Sequence, residues 1–133
     1  MAPPVTARLS DGTQLDVLAL AREIASEHLE RHPEELERYG EAVRAWCVHD
    51  NQHLVNWAVL DLGGWLDLDE RLRWLTNILT SRGYPLQSLL DDLQTAAAVL
   101  RREPAGDARR AVADRLARAG EDLRGATGPR ARA

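Results

Sequence analysis

Apolar residues recur every three or four positions along most of this chain, which is the spacing of an amphipathic α-helix. Leucine and alanine fill most of these positions, β-branched residues are sparse, and phenylalanine is absent. Such a composition gives little sign of strands. The pattern therefore predicts an all-α protein.

Glycine and proline divide the periodic pattern into about five helices. Proline at the start of a helix and glycine just past its end are the expected boundary signals. Thr13 is a candidate N-cap for the first helix, and Asp67 with Glu70 forms a candidate capping pair for the third. Gly40 is expected to bend or break the long second helix. The predicted helices cover about 14–31, 33–62, 68–82, 85–100 and 107–124.

The boundaries predict one domain with two irregular ends. Residues 1–12, with a turn at Asp11 and Gly12, are interpreted as an irregular N-terminal arm. Residues 13–124 form the single helical domain, and residues 125–133 are interpreted as a disordered tail. A chain of 133 residues can bury a sizeable core without disulfides or metals.

Composition narrows the class of protein further. The net charge is -4, and the arginine-rich segment that begins at Arg101 also carries acidic residues, which argues against nucleic-acid binding. A single cysteine cannot form an internal disulfide, which suits a reducing compartment. No apolar run approaches the roughly 18 residues of a membrane span. We therefore expect a soluble, cytoplasmic protein without a membrane partner.

The segment WCVHDNQHLVNW, residues 46–57, concentrates the reactive side chains. It contains the only cysteine, two histidines, two tryptophans and an aspartate. On a helical wheel Asp50 falls near the centre of the apolar stripe, where a carboxylate is costly unless it is paired. The stripe consists of Leu36, Tyr39, Val43, Cys47, Leu54, Trp57 and Ala58.

Ordinary structural roles compete with functional ones here. A buried aspartate often pairs with an arginine or caps a helix, and a lone cysteine or tryptophan is often core filler. His49 and His53 have the i, i+4 spacing of helical zinc ligands, but a third ligand would have to come from elsewhere, such as His28 or His32. Cys47 and His49 lie on opposite sides of the helix, which disfavours nucleophilic catalysis. We predict neither a metal site nor an enzyme.

Three segments resemble the phycobiliproteins and their globin-fold relatives, over about residues 39–100. The segments are AWCVHDNQHLVNWAVLDLGGWLDLDERL, LTNILTSRGYPLQSLL and LQTAAAVL. The resemblance, nearest in style to the non-antenna relatives associated with bilin biosynthesis, implies a globin-like bundle and a linear tetrapyrrole (bilin) chromophore. It further implies that Cys47 carries the chromophore, possibly covalently, and that Asp50 reaches its pyrrole nitrogens.

The sequence departs from the family pattern at its basic positions. His49 stands where the family has an arginine, His53 begins the segment that reads tyrosine-leucine-arginine in the family, and the family's lysines are absent. Arg44 or Arg71 is a candidate replacement for them. The expected binding residues are Cys47, Asp50, His49, His53, Arg44, Trp46, Trp57 and, from an inter-helix turn, Tyr84.

Function follows from this resemblance as an expectation. The chain is predicted to be a non-catalytic bilin-binding carrier, sensor or assembly partner, and a homo-oligomer. A ligand-free helical dimerisation or adaptor module is the alternative, with the tryptophans as interface anchors. A helical cobalamin-associated domain, or heme held through His53, would produce a similar sequence.

Overall fold

Six helices and one short β-hairpin make up residues 2–127, the part of the chain that the computed structural model describes. The elements are β1 (Thr6–Arg8), β2 (Gln14–Asp16), α1 (Val17–Arg31), α2 (Pro33–Tyr39), α3 (Ala42–Leu62), α4 (Leu68–Ser81), α5 (Leu86–Leu100) and α6 (Asp107–Thr127). The all-α class is confirmed in this coarse form, with six helices where about five were expected.

The N-terminal arm is more ordered than the sequence pattern indicated. β1 and β2 pair antiparallel with Ala7 opposite Leu15, and Gly12 adopts a φ of 87° in the turn. The first helix starts at Val17 rather than near residue 14, because Asp16, not Thr13, supplies the N-cap. Its Oδ1 accepts a hydrogen bond from the Ala19 amide at 3.0 Å. Strands of three residues are too short to show an alternating pattern in the sequence.

Gly40 breaks the long second helix of the sequence prediction into α2 and α3. Its φ of 76° and ψ of -175° lie in a region that only glycine adopts readily. The break changes the phase between α2 and α3, so a single helical wheel cannot describe both.

The later boundaries follow their sequence signals closely. Asp67 caps α4 by accepting a hydrogen bond from the Glu70 amide at 3.3 Å, as the capping pair predicted. Gly83, at a φ of 80°, follows the end of α4, and Pro85 precedes α5. α6 continues through Thr127, so residues 125–127 are helical where a tail was expected. The rest of that predicted tail lies outside the described residues.

Contacts among α1, α3, α5 and α6 form the core of the molecule. α1 packs against α3 and α5, while α6 packs against α5 and α3. α4 crosses one side and touches α3, α5 and α6. The largest fully buried apolar side chains are Ile24, Leu29, Leu54, Leu68, Leu72, Leu93, Leu100 and Leu116. Among the helices of residues 2–127, none has both the length and the apolar character that crossing a bilayer requires.

Candidate ligand-binding site

A pocket of about 460 Å³ opens between α3, α4 and α5. Its volume falls in the range typical of small-molecule sites. Much of its surface is apolar, and three aromatic rings, which we call the aromatic wall, come from α2, the first turns of α3 and the α4–α5 turn. The apolar lining comprises Val43, Leu54, Leu75, Ile78, Leu79 and Leu89, and the aromatic wall comprises Tyr39, Trp46 and Tyr84.

Helical spacing brings the polar residues of the pocket onto one surface. Cys47, Asn51 and Leu54 are separated by four and three positions, so they project from the same face of α3. Leu89 and Asp92 are related in the same way on α5. Because α1 packs against both α3 and α5, these two faces lie side by side, and Cys47, Asn51 and Asp92 meet. We call these three residues the pocket floor.

Asp92 is the buried acid of the floor, with 5% of its surface exposed. Its Oδ1 accepts hydrogen bonds from Asn51 Nδ2 at 2.9 Å and from Cys47 Sγ at 3.7 Å, and His28 Nδ1 lies 3.9 Å from the same oxygen. Burial raises the pKa of Asp92 to about 6, against the opposing influence of His28 and Asn51. All three contacts fall on Oδ1, which leaves Oδ2 available.

Two hydrogen bonds fix the orientation of the Asn51 side-chain amide. Its Nδ2 donates to the Cys47 carbonyl at 2.9 Å and to Asp92 Oδ1 at 2.9 Å, so both neighbours are acceptors and the nitrogen must face them. Its Oδ1 is buried and receives no hydrogen bond from the described residues. A buried oxygen without a donor is uncommon in proteins and indicates water or a ligand group.

A hydrogen-bonded chain supports the floor from behind. Glu35 Oε2 lies 2.8 Å from His28 Nε2, and the Tyr84 hydroxyl donates to Glu35 Oε1 at 2.7 Å. Burial opposes the charged form of His28, but Glu35 and Asp92 outweigh it and raise the pKa of His28. Burial likewise opposes the ionised form of Glu35, yet the bonds from His28 and Tyr84 prevail and lower its pKa. The hydrogen bonds that Glu35 makes with His28 and Tyr84 are therefore both charge-assisted.

A second histidine repeats this arrangement at the surface. His32 Nδ1 lies 3.0 Å from Glu34 Oε1, and its Nε2 lies 3.2 Å from Asp91 Oδ2. The ring centroids of His28 and His32 are 4.5 Å apart. The two imidazoles each bridge one carboxylate of α2 and one of α5.

Metal ligands are poorly provided for in the described residues. The group formed by His32, Glu34 and Glu35 has ligand atoms within 4.8 Å of one another, but both oxygens of Glu35 already accept hydrogen bonds. His49 and His53, the sequence's candidate zinc pair, have ring centroids 4.8 Å apart. Within residues 2–127, no third His, Cys, Asp or Glu side chain groups with that pair.

The predicted binding residues separate into two sets. Trp46, Cys47, His49, Asp50 and Tyr84 all line the pocket. The remaining three lie outside its lining. Arg44 is exposed and pairs with Glu41 at 3.6 Å, while His53 packs on Trp57, whose other neighbour is Arg71.

The helical wheel placed the wrong acid at the centre of the core. Asp50 is half-buried at the edge of the pocket, with His49 Nδ1 at 3.5 Å, whereas Asn51 and Val55 are fully buried. α3 is surrounded by α1, α4 and α6, so its buried surface is broader than one stripe and extends past the predicted centre. Asp92 therefore occupies the place in the core that the sequence assigned to Asp50.

Cys47 has the environment of an unreactive thiol. Burial raises its pKa strongly, and the carboxylates of Asp92 and Asp50 add to the shift. The thiolate is the nucleophilic form of cysteine, so a raised pKa suppresses spontaneous attachment of a ligand. Cys47 acts in this structure as a hydrogen-bond donor of the floor.

Three residues of the site were not predicted from the sequence: Asn51, Asp92 and Glu35. Asp92 did leave a signal, because it lies three positions after Leu89 and four before Ala96 on the apolar face of α5. His28 lies four positions after Ile24 and seven after Ala21 on the apolar face of α1, and its full burial matches that position. Glu35 looked like an ordinary acid in the first turn of a helix.

Comparison with protein-family models, curated proteins and solved structures finds no match to this chain. The resemblance to phycobiliproteins therefore stays a prediction.

Proposed function

We propose that this chain is a non-catalytic binding protein whose pocket holds a planar, largely apolar molecule bearing N–H groups, with a linear tetrapyrrole as the first candidate. The observation that carries the proposal is an apolar pocket of about 460 Å³ whose floor presents a buried carboxylate, Asp92. Apolar walls with a few convergent polar groups are the usual composition of a ligand site.

Unpaired polar atoms strengthen the case for a ligand. The Oδ1 of Asn51 and the hydroxyl of Tyr39 are both buried and have no hydrogen-bond partner among the described residues. Both residues line the pocket. Leaving such groups unsatisfied is unfavourable, and a bound molecule with polar edges would satisfy them.

A tetrapyrrole suits the distribution of charge around the pocket. Two carboxylates, Asp50 and Asp92, face N–H groups of a ligand from α3 and α5, while Arg82 and His49 at the lining suit its acidic side chains. This division also agrees with the predicted resemblance, in which Asp50 contacts pyrrole nitrogens. A globin-like arrangement and a role as carrier, sensor or assembly partner belong to the same proposal.

The chemistry of Cys47 favours reversible binding. Its protonated thiol donates to Asp92, and its pKa is raised, so the proposal takes the tetrapyrrole as non-covalently held. The same property argues against a catalytic role for the cysteine, because a nucleophile requires a lowered pKa or an adjacent base.

Titration with biliverdin, followed by its visible absorption spectrum, tests the proposal. We expect a saturable spectral change, and release of the pigment on denaturation. Ile78→Trp should fill the pocket and weaken binding, whereas Trp74→Ala, a matched control at an exposed position of the same helix, should bind normally. The absence of a spectral change, or equal binding by both variants, would contradict the proposal.

Exposed aromatic residues favour a second candidate, the adaptor module. Leu62 and Trp65, at the α3–α4 corner, are 49% and 81% exposed, and Trp74, in the middle of α4, is 56% exposed. Exposed large apolar side chains are typical of association surfaces. Size-exclusion chromatography of the ligand-free protein tests this, since a stable oligomer that Trp65→Ser converts to a monomer would favour the adaptor.

A further inference from the structure

We propose that Asn51 and Asp92 together recognise a protonated nitrogen, so that the pocket selects organic cations over neutral and anionic molecules of the same shape. Primary amines, amidines and protonated nitrogen heterocycles form this ligand class. This inference rests on the proposed function only in taking this pocket as the binding site. It does not require the ligand to be a tetrapyrrole.

The pocket floor has two acceptor oxygens without a hydrogen-bond donor in the described part of the chain. The Nδ2 of Asn51 donates to the Cys47 carbonyl and to Asp92 Oδ1, so its one free acceptor is Oδ1, which is buried and has no donor among the described residues. Asp92 receives its contacts on Oδ1 and offers Oδ2. Two neighbouring acceptors call for a ligand with at least two N–H hydrogens, which an ammonium or amidinium group provides.

The charge around the two acids of the pocket is balanced differently. The carboxylate of Asp50 lies 3.5 Å from His49 Nδ1 and also interacts electrostatically with His53 and Arg82. Asp92 has one cationic neighbour among the described residues, His28 at 3.9 Å, and that imidazole is held more closely by Glu35 at 2.8 Å. The negative charge of Asp92 is therefore poorly compensated, and a buried charge of this kind favours a cationic partner.

The aromatic wall belongs to the same pocket. Tyr39 lies 6.4 Å from Trp46 and 6.1 Å from Tyr84, measured between ring centroids. Rings grouped in this way attract cations through their π-faces. The Arg38 guanidinium already lies 5.3 Å from the Tyr39 centroid, so a ligand cation would rely on the rings of Trp46 and Tyr84.

Three probes with one ring system isolate the effect of charge: 1-naphthylmethylamine, 1-naphthalenemethanol and 1-naphthoic acid. Isothermal titration calorimetry at neutral pH measures the affinity of each for the full-length protein. We expect the amine to bind at least about tenfold more tightly than the alcohol, and the acid to bind most weakly. Equal affinity of amine and alcohol, or no measurable binding of the amine, would overturn the inference.

Three variants assign the selectivity to a residue. Asp92→Asn should reduce the affinity for the amine to that for the alcohol. Asp91→Asn, the matched substitution at an acid of the same helix outside the pocket lining, should retain the preference, because its carboxylate pairs with His32 at 3.2 Å. Asp50→Asn, at the other acid of the pocket, tests which of the two carboxylates recognises the cation. A preference that survives in Asp92→Asn and disappears in Asp50→Asn would assign recognition to the wrong acid and refute the inference.

A pH series on the unmodified protein gives the same test if Asp92→Asn fails to fold. Acidification to about pH 5 protonates Asp92 and should erase the preference for the amine. The titratable groups that face Asp92 are His28 from α1, Cys47 and Asp50 from α3, and Tyr84 from the α4–α5 turn. His28 gains charge in acid and competes with the amine, so it acts in the same direction. A preference that is unchanged at that pH would overturn the inference.

The outcome separates the two proposals. If the amine is preferred and biliverdin does not bind, the charge selectivity of the floor stands and the tetrapyrrole is the wrong ligand. If biliverdin binds and the probes show no order by charge, the tetrapyrrole proposal stands and recognition by Asp92 and Asn51 is refuted.

Discussion

Removal of one hydroxyl, in Tyr84→Phe, tests whether the buried chain behind the floor stabilises the fold. The Tyr84 hydroxyl donates to Glu35 Oε1 at 2.7 Å, and Glu35 is 4% exposed. A hydrogen bond to a charged group contributes about 1.5–3 kcal/mol, and this one lies in a buried setting where solvent screening is weak. Glu35 is also the only buried residue of α2. When Glu35 loses this donor, the packing of α2 against the rest of the protein should therefore weaken.

The expected change in melting temperature follows from the size of the chain. An unfolding entropy of about 2.1 cal/mol/K per residue, applied to 133 residues, gives about 0.28 kcal/mol/K. The loss of about 1.5–3 kcal/mol then lowers Tm by about 5–11 °C at neutral pH. The pKa of Glu35 is lowered in the folded state, so this stabilisation is present above its unfolded pKa and disappears as the pH falls through the folded value.

Tyr39→Phe is the matched control, measured by the same thermal unfolding followed by circular dichroism. The Tyr39 hydroxyl is buried without a partner among the described residues, so its removal should leave Tm unchanged or raise it slightly. Equal destabilisation by the two tyrosine substitutions would refute the reasoning, because it would show that the bond to Glu35 adds nothing.

Three further predictions concern other parts of the molecule. Asp61→Asn should lower the free energy of unfolding in urea by about 1 kcal/mol at neutral pH, because Arg115 binds that carboxylate at 2.8 Å and lowers its pKa. This loss should vanish as the pH falls through the lowered pKa, and a loss that persists in acid would contradict the assignment. Cys47 should react with iodoacetamide at least about tenfold more slowly in the folded than in the unfolded protein, as followed by mass spectrometry, and equal rates would disprove its raised pKa. Gly40→Ala should lower the free energy of unfolding by about 1–3 kcal/mol through backbone strain, whereas Gly125→Ala in α6 should raise it by about 0.5–1 kcal/mol. Calorimetry that finds both substitutions neutral would rule out strain at Gly40.

The helices could be predicted because their boundary signals are local. Pro85, Gly83 and the Asp67 cap act within one turn of the chain, so the sequence alone reveals them. The hairpin could not be predicted in this way, since three-residue strands carry no periodicity. The break at Gly40 was visible, but its effect on the phase of α3 depends on where α2 packs.

The site was predictable mainly on the helix that concentrates unusual residues, and Tyr84 is the one predicted lining residue from another part of the chain. Trp46, Cys47 and Asp50 attracted attention in the sequence, and all three line the pocket. Asp92 and Asn51 meet across 41 positions, and this contact forms only because α1 packs against both α3 and α5. A helical wheel describes one helix, and it cannot show which partner covers a polar residue.

Nuclear magnetic resonance of the side-chain amide of Asn51 tests the central claim most directly. In a 1H–15N correlation spectrum, saturation with 1-naphthylmethylamine should shift both Asn51 Nδ2 signals and the indole signal of Trp46, because the ligand sits between the floor and the aromatic wall. The indole signals of Trp65 and Trp74, which lie outside the pocket lining, should stay in place. Shifts confined to those two exposed tryptophans, with Asn51 unmoved, would contradict a binding site in this pocket.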